Sequence, residues 1–143
     1  MATESKYQVD GRSESDCFPE IDPGVQPQGN RIVVQLRKAK DTSQGGILLV
    51  TETKATEKWN EVIAKVVSVG PLAYKYGSTL QDWPEGPWAI PGDLVRTIKY
   101  GGDRWAVPHG NGEVVFIVLQ DREVICKITD FEVARKMFPA FVE

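Results

Sequence analysis

The chain has 143 residues, of which 41% are hydrophobic and 26% are charged, and its formal net charge is −3. This length and composition predict one soluble domain that needs neither a metal nor a disulfide for stability. The acidic balance excludes the usual basic nucleic-acid binder, and no apolar run approaches the ~20 residues that span a bilayer. Cys17 and Cys126 lie far apart without metal-ligand spacing, so both are expected to be reduced thiols in a cytosolic protein.

The first 26 residues are polar and acidic. They lack hydrophobic periodicity, and Pro19 and Pro23 punctuate the end of the segment. Secretory and transit peptides have a different composition, so neither is expected. Residues 1–26 are therefore predicted to be an acidic flexible or loosely docked arm.

Five segments rich in β-branched residues follow, each bounded by Gly, Pro, Asp or Asn. They are residues 31–37, 61–69, 94–100, 113–119 and 123–128. Five short strands of this kind predict an all-β fold, either a small barrel or a sandwich. The short connection 120–122 predicts an antiparallel hairpin between the last two strands.

The C-terminus is the one segment with helical signals. Thr129 and Glu132 have the spacing of a capping box, and Pro139 would end the helix. Residues 131–143 are therefore predicted to be a short helical tail appended to a barrel over residues 27–130.

Candidate catalytic residues are scarce. His109 is the one histidine, and it lies between turn-forming residues without a nucleophile motif, so we predict a solvated turn histidine. Gly101 and Gly102 precede an aspartate and not a helix, so neither a P-loop nor a dinucleotide fingerprint is present. We therefore expect that the protein is not an enzyme and binds no metal or cofactor.

Two long segments do not fit a compact barrel. Residues 38–60 are mostly polar but hold an apolar run, and residues 72–90 carry two tyrosines and two tryptophans. Loops this long are usually functional or disordered. The apolar run is either a sixth core strand or a hydrophobic hook that awaits a groove on a partner protein.

Five short motifs occur in a fixed order along the chain. They are Arg31-Ile-Val-Val34, Gly45-Gly-Ile-Leu-Leu49, Ala64-Lys-Val-Val-Ser-Val-Gly70, Pro91-Gly-Asp-Leu-Val95 and Lys99-Tyr-Gly-Gly102. Each motif alone is weak, but the order resembles that of the GroES-type co-chaperonins, the lids of GroEL-type chaperonin rings. The resemblance covers residues 27–130 and implies a small irregular GroES-like β-barrel with a mobile loop over 38–60 and a roof insertion over 72–90.

The resemblance also implies a function. The protein would cap a GroEL-type chaperonin ring in a nucleotide-dependent way and close the protein-folding cage around an unfolded client. The partner chaperonin would bind the ATP. The residues that would bind the partner are Gly45, Gly46, Ile47, Leu48 and Leu49.

The family forms sevenfold rings, so the resemblance implies a ring, with subunit contacts through residues 25–30 and 124–128. The implied contact residues are Val25, Arg31, Val124, Ile125 and Ile128. Alternatively, both segments close the barrel of one subunit. Similarly, the roof residues Trp83 and Trp88 either point toward the cage or a neighbouring subunit, or they pack in the core.

The arm, the tail and the roof insertion exceed the short chain usual in the family. Enlarged lids of this kind resemble phage-encoded co-chaperonins, which replace or compete with the host's lid to fold capsid protein. The expected location is the cytoplasm, which is the host's cytoplasm for a phage protein. Two other functions stay open: an oligonucleotide-binding barrel, which needs a basic face with stacking aromatics, and a GroES-like dehydrogenase domain, which needs zinc ligands and a dinucleotide domain.

Overall fold

The computed structural model describes residues 12–38, 63–98, 102–110 and 112–137. In these residues six strands form one sheet: β1 (Arg31–Leu36), β2 (Ile63–Val69), β3 (Leu94–Thr97), β4 (Asp103–His109), β5 (Gly112–Gln120) and β6 (Val124–Ile128). A single 3₁₀ turn, Asp121–Glu123, joins β5 to β6. The described residues also include two short α-helices, α1 (Glu14–Cys17) and α2 (Phe131–Met137).

The strands follow the order β4-β5-β1-β2-β3-β6, and each neighbouring pair is antiparallel. β1 lies between β5 and β2, and five of its six residues are buried, as expected for a central strand with apolar side chains on both faces. One face of the sheet surrounds the main core, which includes Ile32, Val34, Leu36, Val66, Val95, Ile117 and Leu119. The predicted all-β, GroES-like barrel is confirmed.

The predicted hairpin between β5 and β6 is wrong. β6 pairs with β3, so the last two strands lie apart in the sheet. The chain turns away at Asp121, whose backbone N–H donates to the Asn30 carbonyl and whose carboxylate accepts from the backbone N–H of Tyr74. These two long-range hydrogen bonds hold the 3₁₀ turn between β5 and β6, so the two strands are not joined by a hairpin turn.

β4 was absent from the predicted strands. It pairs with β5 along its whole length, although its sequence includes Arg104, Pro108 and His109. Proline is tolerated there because β4 is the outer strand beside β5. His109 is the last residue of this strand and is half-buried, with its Nδ1 atom buried and unpartnered within the described residues. The prediction of a solvated turn histidine is therefore wrong.

Residues 12–26 are not the loosely docked arm that their composition predicts. Ser13 caps α1 by accepting from the Asp16 N–H, and Cys17 and Phe18 at the end of the helix are buried. The chain then crosses the face of the sheet opposite to the main core. Gln35 Nε2 donates to the Pro19 carbonyl at 2.8 Å, and Trp105 Nε1 donates to the carbonyl of Pro23 at 3.0 Å. Residues 1–11 lie outside the described residues.

The predicted C-terminal helix is confirmed, but it begins one residue later than the capping box implies. Asp130 is the cap, since its Oδ1 atom accepts from the Glu132 N–H at 2.9 Å. Asp is at least as good a cap as Thr, so Asp130 replaces Thr129 in this role. Pro139 and the rest of 138–143 lie outside the described residues.

Candidate functional site

The predicted partner-binding residues 45–49 lie in the segment 39–62, outside the described residues. The structure does show where that segment leaves and re-enters the sheet. β1 and β2 are adjacent antiparallel strands, and Leu36 pairs with Ala64. The segment is therefore the connection between two neighbouring strands, and both its ends lie at the same end of the sheet.

The outer edge of β6 lies at the predicted subunit contacts. β6 pairs with β3 on one side only, within the described residues. Ile125 is 64% exposed, and Val25 in the arm is 47% exposed. A strand edge with an exposed apolar side chain is a template for pairing with another chain.

The other predicted contact residues differ in their surroundings. Arg31 is exposed at the start of β1. Val124 is buried in the main core, and Ile128 packs against a second cluster that contains Phe18 and Leu94. Of these side chains, Val25, Arg31 and Ile125 are the ones accessible to a second chain, whereas Val124 offers only its main chain.

Three of the four aromatic residues of the roof insertion pack inward. Tyr74, Trp83 and Trp88 contact one another, with ring centroids 4.8 to 6.1 Å apart, and lie against the main core. This confirms the core-packing alternative for both tryptophans. The exposed apolar side chains of the insertion belong instead to Leu72, Tyr76, Leu80 and Ile90.

Asp121 attaches the roof insertion to the sheet, a role that sequence reasoning missed. Its Oδ2 atom accepts from the Tyr74 N–H at 2.8 Å, and its Oδ1 atom accepts from the Arg122 N–H at 2.8 Å. Burial, with added repulsion from Asp121 and Asp93, raises the pKa of Tyr74 to about 12. The one sequence signal for this role was an aspartate between a strand and a tight turn.

Among the described residues, no group of three His, Cys, Asp or Glu side chains could hold a metal ion, and no helix is long and apolar enough to cross a membrane. Neither cysteine forms a disulfide; Cys17 is buried and Cys126 is exposed on β6. A cleft of about 350 Å³ runs beside β6, lined by Glu85, Pro87, Trp88 and residues 124–127.

The described residues thus form a small β-barrel with a long connection between β1 and β2 and an exposed final strand. Comparison with known proteins gives the family. Residues 24–128 match the model of the chaperonin 10 kDa subunit, and the chain belongs to this family. Its members are co-chaperonins, so the protein is not an enzyme, and the resemblance seen in the sequence motifs is confirmed.

Two curated relatives agree with the family match. The chain is 34% identical to the co-chaperonin GroES of Staphylococcus carnosus (strain TM300) over 102 residues, which are 71% of this chain and 95% of the relative. It is 30% identical to the co-chaperonin GroES of Ruminiclostridium cellulolyticum over 79 residues, which are 54% of this chain and 73% of the relative. Both α1 and α2 lie outside the family match over 24–128.

Proposed function

We propose that this protein caps a GroEL-type chaperonin ring in a nucleotide-dependent way and closes the folding cage over an unfolded client. The family match over residues 24–128 carries the proposal, since it includes the motif Gly45-Gly-Ile-Leu-Leu49 between β1 and β2. The partner supplies the nucleotide site. The site of action is the cytoplasm, where chaperonin and client meet.

The hook consists of Ile47, Leu48 and Leu49. Burying three such side chains is worth about 5 to 9 kcal/mol. Ordering the six or more residues around them costs about 1 to 2 kcal/mol each, so one loop binds weakly or not at all. In a ring of identical loops, however, the first contact raises the effective concentration of the others. Several weak contacts then give a lid that binds the chaperonin tightly and can still dissociate from it.

The proposed ring is a heptamer held by residues 25–30 of one subunit and β6 of the next. The outer edge of β6, which no strand of the described residues pairs with, and the exposed Ile125 and Val25 support this contact. Pairing the two segments would cover a strand edge that otherwise invites aggregation. The enlarged arm, roof and tail fit a phage-encoded lid, and that origin stays a prediction.

Leu48→Asp tests the hook in the full-length protein. A charged side chain cannot enter an apolar groove without losing its hydration, so this variant should form rings of wild-type mass but neither suppress chaperonin ATPase nor support client refolding. Leu80→Asp is the matched control. Leu80 is 54% exposed on the roof with φ of 60°, a conformation that Asp tolerates, so this variant should cap normally.

Two outcomes would contradict the proposal. The hook is wrong if Leu48→Asp suppresses ATPase and supports refolding as well as the wild type does. The whole function is wrong if the wild-type protein is not captured by a GroEL-type ring with ATP, with ADP or without nucleotide.

A further inference from the structure

The two helices outside the family match meet in one apolar cluster. α1 precedes the matched residues 24–128 and α2 follows them. Their buried side chains nevertheless pack together with two residues of the sheet. The cluster, which we call the collar, consists of Cys17, Phe18, Ile63, Leu94 and Ala134, with Ile128 and Phe131 packed against it.

The collar contacts both ends of the segment that carries the hook. On one side, the Lys38 N–H donates to the Cys17 carbonyl at 2.7 Å. On the other side, Ile63 is 1% exposed and lies within the collar. Lys38 and Ile63 are the described residues directly before and after the segment 39–62. A backbone hydrogen bond therefore holds one end of the segment and apolar packing holds the other.

An ion pair adds a third link at the same place. Lys65 Nζ lies 3.4 Å from Glu14 Oε1, which ties α1 to the start of β2. Both side chains are partly exposed, so this pair contributes little energy. The arm crosses the sheet beyond this point, where Ile21 packs against the separate cluster of Val33, Val114 and Phe116.

Holding the ends of a segment in place reduces the conformational entropy that the segment loses when it binds. Residues that are already ordered cost no further conformational entropy on binding, whereas each end residue that frays adds its own cost. Without the collar, Lys38 would lose the acceptor of its N–H, and Ile63 would be exposed at the start of β2. More of the chain would then have to be ordered each time the hook binds.

We propose that the collar is a positioning device for the chaperonin-binding loop, built from the two chain extensions that this protein adds to the family fold. The proposal rests on the proposed capping function. Phe18 and Ala134 are positioning residues: they hold Lys38 and Ile63, and they set the affinity of capping without contacting the chaperonin themselves.

Phe18→Ala and Ile21→Ala form the decisive pair, because both remove an apolar side chain from the same arm and only Phe18 belongs to the collar. For Phe18→Ala we expect the protein concentration that half-suppresses chaperonin ATPase to rise by about tenfold, since releasing even one residue has a cost of that size. Ring mass should not change, and the Lys38 amide should exchange faster. Phe18→Leu should restore both values, and Ile21→Ala should match the wild type.

Ala134→Asp and Val133→Asp repeat the test from α2. Ala134 is fully buried in the collar, whereas Val133, its neighbour, is 46% exposed. Ala134→Asp should weaken capping as Phe18→Ala does, and Val133→Asp should not. This second pair decides the question if Phe18→Ala fails to fold.

Different results would refute the proposed role of the collar and the proposed capping function. If the wild type does not cap, the proposed function is wrong. If the wild type caps and both Phe18→Ala and Ala134→Asp cap equally well, the collar is not a positioning device. A Lys38 amide that exchanges at the unprotected rate in the wild type also overturns the collar, whatever the capping assays show.

Discussion

Asp121 provides a stringent test of how the roof insertion is attached to the sheet. Its side chain is 1% exposed, and its two carboxylate oxygens accept hydrogen bonds from the backbone N–H groups of Tyr74 and Arg122, each at 2.8 Å. In Asp121→Asn, the amide keeps only one acceptor oxygen. Its NH₂ group must then face one of the two N–H donors, so a nearly isosteric substitution should be strongly destabilising.

The magnitude follows from two losses. A hydrogen bond to a charged acceptor contributes about 1.5 to 3 kcal/mol, and a buried N–H without an acceptor costs about 1 to 3 kcal/mol. These losses overlap, so we expect a decrease of about 2 to 4 kcal/mol in the free energy of unfolding. Tyr74 has φ of 61°, which a bulky residue adopts only where its surroundings hold it, and its N–H is the donor whose loss matters most.

Urea unfolding followed by tryptophan fluorescence measures this change, because Trp83 and Trp88 pack against Tyr74. Protein concentration must be equal in all samples, since assembly contributes to apparent stability. Asp82→Asn is the matched control on the same insertion, because Asp82 is exposed and forms a surface ion pair with Lys75. The control should change stability by less than about 1 kcal/mol. A change within that same range for Asp121→Asn would show that Asp121 does not hold the roof insertion to the sheet.

Three further predictions concern other parts of the fold. Burial holds the pKa of Tyr74 at about 12 against 10 in the unfolded chain, so its contribution to stability is complete below pH 10 and is lost as pH rises toward 12. In urea unfolding, Tyr74→Phe should be as stable as the wild type at neutral pH and less sensitive to alkali; an unchanged alkaline decline would contradict this. A Cβ atom on Gly70 would lie 2.3 Å from a backbone carbonyl oxygen, whereas one on Gly77 would meet nothing within 4 Å. Gly70→Ala should therefore lower Tm by many degrees and Gly77→Ala should leave it almost unchanged, so equal Tm values would be evidence against the close approach. Ile125→Asp should reduce ring mass in native mass spectrometry while the Leu80→Asp control keeps it, and intact Ile125→Asp rings would remove β6 from the subunit contact.

Local patterns predicted the strands with apolar side chains and failed where distant residues decide the structure. β1, β2, β3, β5 and β6 follow from runs of β-branched residues. β4 does not, because an outer strand tolerates proline and charged residues that would break a central one. Nor does the pairing of β6 with β3, since the turn at Asp121 is set by hydrogen bonds to Tyr74 and Asn30, which are far away in sequence.

Local sequence patterns also failed to predict that part of the arm is buried. Cys17 and Phe18 stand in an acidic, proline-punctuated segment, and nothing near them in sequence predicts burial. Their apolar neighbours come from β2, β3 and α2, the last of them more than a hundred residues along the chain. Of the predicted subunit-contact residues on β6, the structure exposes Ile125 and buries Val124. The sequence did not separate the two, because alternation along a strand gives two faces without saying which one is covered, and the contact itself stays a prediction. The hook at 45–49 stays a prediction.

The strand order has a consequence for how the protein is made. β1 needs β5 beside it, and Gln35 pairs with Phe116, about 80 residues later in the chain. At a synthesis rate of roughly 5 to 20 residues per second, β1 waits roughly 4 to 16 s on the ribosome before this partner emerges. Contacts of such long range also slow folding itself. During its synthesis, this member of the co-chaperonin family therefore exposes an apolar strand, Ile32 to Leu36, whose edge toward β5 stays unpaired until β5 has been made.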